Sequence, residues 1–184
     1  LNTAETNRAE VMAVYPEFAD KKVVLYAPTF RKNIELHWEE LANRLANEDD
    51  IALIVKGHPN QPLSTGNKAV YTCPEFKSVD LLSSCDYLVT DYSAIAIEGA
   101  VLKRPTYYFV YDYEEYREKN GMNIDLFETM PGCVFRNAED LAEAIVKGEY
   151  NYKALEDYRA KYLPENLGTS TEQIVKLITE NMKK

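Results

Sequence analysis

Three short polar motifs in this chain could carry chemistry, and each directly follows an apolar run of the kind that forms a buried strand. They are YAPTFR (Tyr26 to Arg31), KGHP (Lys56 to Pro59) and TDYS (Thr90 to Ser93). In an open α/β sheet, ligands bind outside the carboxyl ends of the strands. We therefore interpret the three motifs as parts of one binding site.

The residue types in these motifs favour phosphate recognition. Arg31 can clamp phosphate oxygens with a planar fork, and Lys56 can act as a point charge. Ser93 stands where a strand turns into a helix, and a helix N-terminus is an anion site because its first N–H groups are unpaired. Simpler explanations remain open, since Asp91 or Ser93 could only cap the helix and the two cations could be solvated.

Two further side chains are candidates for direct roles. His58 lies between Gly57, which permits close backbone approach, and Pro59, which stiffens the exit from the loop. It could donate a hydrogen bond to a phosphate or act as a general acid, or it could be a loop histidine without a role. Glu98 lies five residues after Ser93 and could accept hydrogen bonds from sugar hydroxyls, or be an ordinary surface acid.

The elements that must position these residues alternate between strand and helix. The strands read as continuous apolar runs, as expected when both faces of a sheet are covered. This pattern predicts an α/β fold with a Rossmann-like parallel sheet flanked by helices. In the strand order 3-2-1-4-5-6, the first and fourth strands are neighbours, so YAPTFR and TDYS form two lips of one crevice. We expect strands at Val23–Tyr26, Ile51–Val55, Ala69–Thr72, Tyr87–Thr90, Thr106–Val110 and Cys133–Phe135.

Helical spacing and capping residues predict the remaining elements. A short helix is expected to open with Ser78 as its N-cap, and the last helix with Thr169 and Glu172 spaced as a capping box. The other expected helices cover residues 5–14, 34–47, 93–102, 112–119 and 150–162, with one more beginning at Asn137.

Composition excludes several classes of function. The net charge is −9 and the pI about 4.8, which argues against nucleic-acid binding. Three cysteines without a CxxC pair argue against a disulfide framework or a zinc site. The sequence has no GxGxxG, P-loop, HExxH, DxD or GxSxG motif, so it is not an evident dehydrogenase, P-loop enzyme, metalloprotease or serine hydrolase.

Taken together, the motifs resemble the CDP-glycerol glycerophosphotransferase family, the teichoic acid polymerases and primases. The resemblance runs from about Val23 to Ile178 and rests on LYAPTFR, KGHPN, DLLSSCDYLVTDYSAIAIEGAVLKRP, YFVYDYEEY and PGCVF. It implies the C-terminal, nucleotide-binding half of a GT-B fold. Residues 1–184 would then be a single donor-nucleotide-binding domain and a fragment of a larger two-domain enzyme.

The resemblance also implies an activity and a set of site residues. The family transfers glycerol phosphate from CDP-glycerol, or ribitol phosphate from CDP-ribitol, to a polymer hydroxyl and releases CMP. His58 matches a histidine that acts at the diphosphate, and no cofactor or metal is implied. The substrate-binding residues that we expect are Thr29, Arg31, Lys56, Gly57, Asp91, Ser93 and Glu98.

The chain departs from the family pattern at two places. Ala94 replaces the second serine of the TDYSS signature, and Gln173 replaces an arginine near the C-terminus. The family's amino-terminal half supplies the acceptor surface and a second histidine, so this chain alone should bind nucleotide without catalysing transfer.

The resemblance also implies partners and a location for the full-length protein, and two other functions remain open. We expect a polymer acceptor, a possible homo-oligomer, and a cytoplasmic location peripheral to the inner face of the cell membrane for the full-length protein. The alternatives are a GT-B glycosyltransferase that uses a UDP- or GDP-sugar, and a non-catalytic α/β binding module.

Overall fold

The computed structural model describes residues 2–29, 37–45, 47–57 and 70–182 of the chain. Within these ranges, six parallel strands form one sheet in the order β3-β2-β1-β4-β5-β6, which confirms the predicted order. The strands are β1 (Lys22–Tyr26), β2 (Ile51–Val55), β3 (Val70–Tyr71), β4 (Tyr87–Thr90), β5 (Thr106–Phe109) and β6 (Val134–Phe135).

The described helices flank this sheet and mostly follow the predicted spacing. A short 3-10 helix at Pro16–Asp20 and the four-residue helix α6 were not predicted. The helices are α1 (Asn2–Val14), α2 (Trp38–Leu45), α3 (Ser78–Leu82), α4 (Ile95–Val101), α5 (Tyr113–Asn120), α6 (Leu126–Thr129), α7 (Ala138–Lys147), α8 (Tyr152–Tyr162) and α9 (Ser170–Asn181).

The sheet is buried on both faces because alternate residues of its strands point to opposite sides. In β1, Val24 and Tyr26 pack in the core that includes α2 and α7. Val23 and Leu25 pack on the other side, in the core that includes residues of α1, α3 and α4. A third cluster joins α4, β5 and α8. These layers hold the carboxyl ends of β1 and β4 next to each other at the centre of the sheet.

Helix α4 lies unusually close to the sheet because Gly99 has no side chain. A Cβ atom at this position would lie 2.9 Å from Leu88 Cδ2 and 3.1 Å from Thr106 Oγ1. At its C-terminal end, the Arg159 guanidinium of α8 donates to the carbonyl oxygens of Ala100 and Val101. The glycine and the arginine together fix the helix that begins just after TDYS.

Two predicted capping arrangements were wrong. Lys77, not Ser78, is the N-cap of α3, and the Asp80 carboxylate accepts a hydrogen bond from the Lys77 N–H at 3.0 Å. Thr169 is the N-cap of α9, but its side chain makes no capping hydrogen bond and instead accepts from Gln173 Nε2 at 2.8 Å. In α3, Asp80 at the third helical position accepts from the Lys77 N–H and so sets the start of the helix. In α9, the Gln173 side chain binds the Thr169 hydroxyl that a capping box would have used.

Helix α9 differs from the other layers because none of its residues is buried. Its apolar side chains are 53% to 60% exposed at Ile174, Val175, Leu177 and Ile178. Among the described residues, no helix is long and apolar enough to cross a membrane.

Candidate functional site

The loops after β1 and β4 meet at the carboxyl edge of the sheet, where the sequence predicted the crevice. Tyr26 is the register partner of Val89, and pairing with β4 continues one residue past the end of β1. The Ala27 N–H donates to the Val89 carbonyl at 2.9 Å, and Thr90 Oγ1 donates to the Ala27 carbonyl at 2.7 Å. Two of the three motifs therefore converge in direct contact.

Asp91 makes the next contact between these loops. Its side chain is only 2% exposed, and its Oδ1 atom accepts from the Thr29 N–H at 2.8 Å and from Thr29 Oγ1 at 2.6 Å. The same oxygen accepts from the Tyr92 N–H at 2.6 Å. A buried carboxylate is costly unless it is hydrogen-bonded, and these three donors meet that requirement.

Ser93 lies at the open end of this arrangement, two residues before α4 begins. Its hydroxyl is half-buried and accepts from the Ile95 N–H at 3.4 Å, a distance longer than a good hydrogen bond. Asp91 does not serve as the cap of α4, since its N-cap residue is Ala94. The Ser93 hydroxyl is therefore held only weakly by its own helix, and the residue lines a neighbouring cavity.

Lys56, at the end of β2, is directed toward β3 rather than toward β1. Its Nζ atom donates to the carbonyl oxygens of Thr72 at 3.1 Å and of Cys73 at 3.0 Å. Burial lowers the pKa of its ammonium group from the usual value. An ammonium group has three donors, so two of them tie the ends of β2 and β3 together and one remains.

The remaining predicted site residues divide into two groups. Gly57 is half-buried directly after Lys56, and Glu98 is exposed on α4 one turn beyond Ser93. Arg31 and His58 lie outside the described residues. The structure thus brings together Thr29, Asp91 and Ser93 and places Lys56 one strand further along the edge.

A cavity of about 470 Å³ opens beside Ser93 and was not anticipated from the sequence. Tyr92 stacks on Tyr116 in its wall, with ring centroids 3.7 Å apart. Among the described residues that line it, Asp91 is the only charged one. Five tyrosines line the cavity: Tyr92, Tyr108, Tyr116, Tyr158 and Tyr162.

Tyrosine supplies both an apolar ring and a polar hydroxyl to such a wall. Burial raises the pKa of Tyr108 and of Tyr158, so both phenols stay protonated and neutral. The only sequence signal for this wall is the high tyrosine count, 14 in the chain, with several of them around β5. The spacing of those tyrosines does not reveal which ones converge, because α4, α5 and α8 are distant in sequence.

Comparison with known proteins places these features in a family. The family model described as CDP-Glycerol:Poly(glycerophosphate) glycerophosphotransferase matches residues 1–180. The chain is 34% identical over 160 residues to the teichoic acid poly(glycerol phosphate) polymerase of Bacillus spizizenii, covering 78% of this chain and 40% of that protein. It is 29% identical over 177 residues to the teichoic acid poly(ribitol-phosphate) polymerase of the same species, covering 88% of this chain and 28% of that protein.

Among solved structures, a variant of the wall teichoic acid polymerase TagF soaked with CDPG shares the fold. The TM-score is 0.73 at 24% identity, and the match covers 100% of this chain and 48% of that one. The predicted fold class, a Rossmann-like parallel sheet flanked by helices as in GT-B proteins, is thereby confirmed. The chain spans about a quarter to a half of the length of these relatives.

Proposed function

Since the chain belongs to the CDP-glycerol:poly(glycerophosphate) glycerophosphotransferase family, we propose that it is the donor-binding domain of a phosphotransferase that uses CDP-glycerol or CDP-ribitol. One observation carries the proposal. Thr29 of the first motif and Asp91 of the third are joined by hydrogen bonds of 2.6 and 2.8 Å, so both motifs border one crevice. In this fold class, such a crevice at the switch point of the strand order is where ligands bind.

The diphosphate of the donor would lie across this crevice. Ser93 offers its hydroxyl from the β4 side, and the first motif, with Arg31, continues from Thr29 on the β1 side. Glu98, exposed on α4, would accept hydrogen bonds from the ribose hydroxyls. Gly57 and His58 follow Lys56 at the end of β2, and His58 would approach the diphosphate from there.

The proposed reaction is an in-line displacement at the glycerol-side phosphorus. An acceptor hydroxyl gives its proton to a base, the role we assign to the second histidine of the family's amino-terminal half, and forms the new P–O bond. The bond from that phosphorus to the bridging oxygen breaks, and CMP departs with the negative charge on that oxygen. His58 and Ser93 would stabilise negative charge on the phosphates and on the departing CMP. Preorganised donors of this kind each contribute ~10²–10³-fold to rate.

The tyrosine-lined cavity suits the uncharged part of such a substrate. Its described wall offers no lysine or arginine, so it would not compensate a phosphate. Its rings and hydroxyls match the C–H and O–H groups of a polyol. The volume of about 470 Å³ lies within the usual range of ligand pockets.

Calorimetric titration of the 184-residue chain tests the proposal. We expect CDP-glycerol and CMP to bind and UMP to bind more weakly, with or without EDTA, because the proposed site uses no metal. Ser93→Ala should weaken CDP-glycerol binding. The control variant Ser170→Ala, which changes an exposed serine at the start of α9, should not. Selective binding of a UDP- or GDP-sugar would favour a glycosyltransferase instead, and binding of no nucleotide would favour a non-catalytic module.

Turnover has to be measured in a full-length enzyme, because this chain spans at most about half of its relatives. We expect the isolated chain to bind the donor without transferring its polyol phosphate to a polymer. We also place the full-length protein at the cytoplasmic face of the membrane, where the acceptor would be presented. In that protein, a His58→Ala variant with turnover within a few-fold of the wild type would exclude the role given to His58.

A further inference from the structure

Asp91 is a buried acid beside a proposed phosphate site, and its charge alone would repel the ligand. One of its oxygens is engaged by the two loops themselves: Oδ1 accepts three hydrogen bonds, two from Thr29 and one from Tyr92, at 2.6 to 2.8 Å. With three donors on one oxygen, that atom has no lone pair left for a ligand hydroxyl.

These contacts extend the sheet beyond its last backbone pair. Backbone pairing between β1 and β4 ends with Ala27 N–H donating to the Val89 carbonyl. The Thr90 hydroxyl then binds the Ala27 carbonyl, and the Asp91 carboxylate binds Thr29 two residues further on. The side chains of Thr90 and Asp91 thus bind the backbone of the loop after β1, where backbone pairing between the two strands has ended.

From this arrangement we infer that Asp91 is a positioning residue, which sets the separation of the two crevice lips through its hydrogen bonds to Thr29. The inference rests on the proposed function, since it assumes that the lips grip the donor diphosphate together. Asp91 holds Thr29 on one lip. On the other lip it holds the Tyr92 N–H immediately before Ser93.

The charge of Asp91 is consistent with this role. A carboxylate is an acceptor only, so it can take both donors of Thr29 and that of Tyr92 without presenting an N–H of its own. Hydrogen bonds to a charged acceptor are also about twice as strong as neutral ones. An asparagine at this position would keep the shape but bring two donors into a site that offers donors already.

A set of shape-preserving variants of the 184-residue chain tests the inference by calorimetry. Thr29→Val, which removes only the hydroxyl, should weaken CDP-glycerol binding about tenfold, and Asp91→Asn should do so at least as much. The double variant should be within about twofold of Asp91→Asn alone, because the hydroxyl that Thr29→Val removes is bound by the oxygen that Asp91→Asn has already weakened as an acceptor by removing its charge. Thr29→Ser should restore most of the lost affinity, and the remote Thr179→Val on α9 should have no effect.

A second ligand separates positioning from general loosening of the fold. Because the lips act on the diphosphate, the losses should be larger for CDP-glycerol than for CMP, which lacks the second phosphate. Equal losses for both ligands, in step with lowered thermal stability, would overturn the inference. So would an Asp91→Asn variant that loses affinity while its Thr29 amide stays as protected from hydrogen exchange as in the wild type, since Asp91 would then contact the ligand itself.

Amide hydrogen exchange decides the point without a ligand. The Thr29 amide should exchange slowly in the wild type and faster in Asp91→Asn, because a neutral amide oxygen accepts more weakly than a carboxylate oxygen, whereas amides of β2 should be unchanged. If the wild type binds no CDP-glycerol but this exchange pattern is found, the proposed function fails and the Asp91 contact stands. A Thr29 amide that exchanges equally fast in both proteins would refute the positioning role.

Discussion

Replacing Gly99 by alanine should destabilise the chain, although alanine is the better helix former. The new Cβ atom would lie 2.9 Å from Leu88 Cδ2 and 3.1 Å from Thr106 Oγ1. Favourable contacts between carbon atoms begin near 3.5 Å, so the helix or Leu88 must move by about 0.6 Å. Leu88 is fully buried, and Thr106 Oγ1 is engaged with the Arg104 carbonyl, so neither neighbour yields easily.

The magnitude follows from two opposing terms. Overpacking a core typically costs about 1–3 kcal/mol, and the gain in helix propensity from glycine to alanine is about 1 kcal/mol. We therefore expect a net loss of about 1 kcal/mol in the free energy of unfolding. In a chain of this size, such a loss lowers the melting temperature by roughly 2–4 °C. Since α4 begins just after Ser93, donor binding should weaken as well.

Thermal and urea unfolding of four proteins measures the effect: wild type, Gly99→Ala, Leu88→Val and the double variant. Leu88→Val removes the δ carbon that the new Cβ meets, at a cost of about 1 kcal/mol by itself. In that background, Gly99→Ala should cost less than in the wild type. If Gly99→Ala is as stable as the wild type, or if the double variant is simply additive, the close packing of α4 on β4 does not limit this position.

Three further predictions concern other parts of the molecule. Burial raises the pKa of Cys73 to about 11 and that of Cys85 to about 12, from an ordinary value near 9. As pH rises, the unfolded chain therefore loses its thiol protons before the folded chain does. The free energy of unfolding should fall between about pH 9 and pH 12. Cys85→Ala should make that decline shallower, and a thiol reagent at pH 8 should label the native protein slowly; rapid labelling would contradict the burial of the thiols. Lys56→Met should lower the free energy of unfolding by about 1–3 kcal/mol, because the Thr72 carbonyl loses its lysine donor and the Cys73 carbonyl keeps only the Phe76 N–H. An unchanged melting temperature would show that the tie to β3 is dispensable. Glu98→Gln should change the free energy of unfolding by no more than about 0.5 kcal/mol, because the residue is exposed. It should nevertheless reduce the affinity for CMP more than the affinity for 2′-deoxy-CMP. Equal effects on both ligands would exclude a contact to the 2′-hydroxyl.

The sequence was sufficient for the arrangement of the sheet, because its signals are local and strong. Runs such as Ile51–Val55 are apolar throughout and mark buried parallel strands, and all five residues of this one are buried. Asn137 and Asp140 identify the start of α7, where the Asn137 side chain accepts from the Asp140 N–H at 2.9 Å. Once order and direction were known, the convergence of the β1 and β4 loops followed from topology.

The roles of individual polar side chains could not be read in the same way. Lysine at a strand end predicts a cation facing the ligand, but Lys56 turns toward β3, where its ammonium group reaches the carbonyl oxygens of Thr72 and Cys73. Asp91 reads as a ligand contact or a helix cap, and its partner Thr29 is 62 residues away in sequence. Such partners are set by tertiary contacts, which leave no periodic trace.

Helix α9 has a consequence for how the stability of this chain is measured. A 12-residue helix with no buried residue gains little from the packed layers, and isolated helices of that length are marginal in water. Its opening free energy should therefore be close to zero, while strands such as β1 open only when the whole sheet unfolds. The chain then contains two independent cooperative units of very different size. A melting temperature followed by near-UV signals would report the sheet alone, whereas far-UV helicity would begin to decline before that transition.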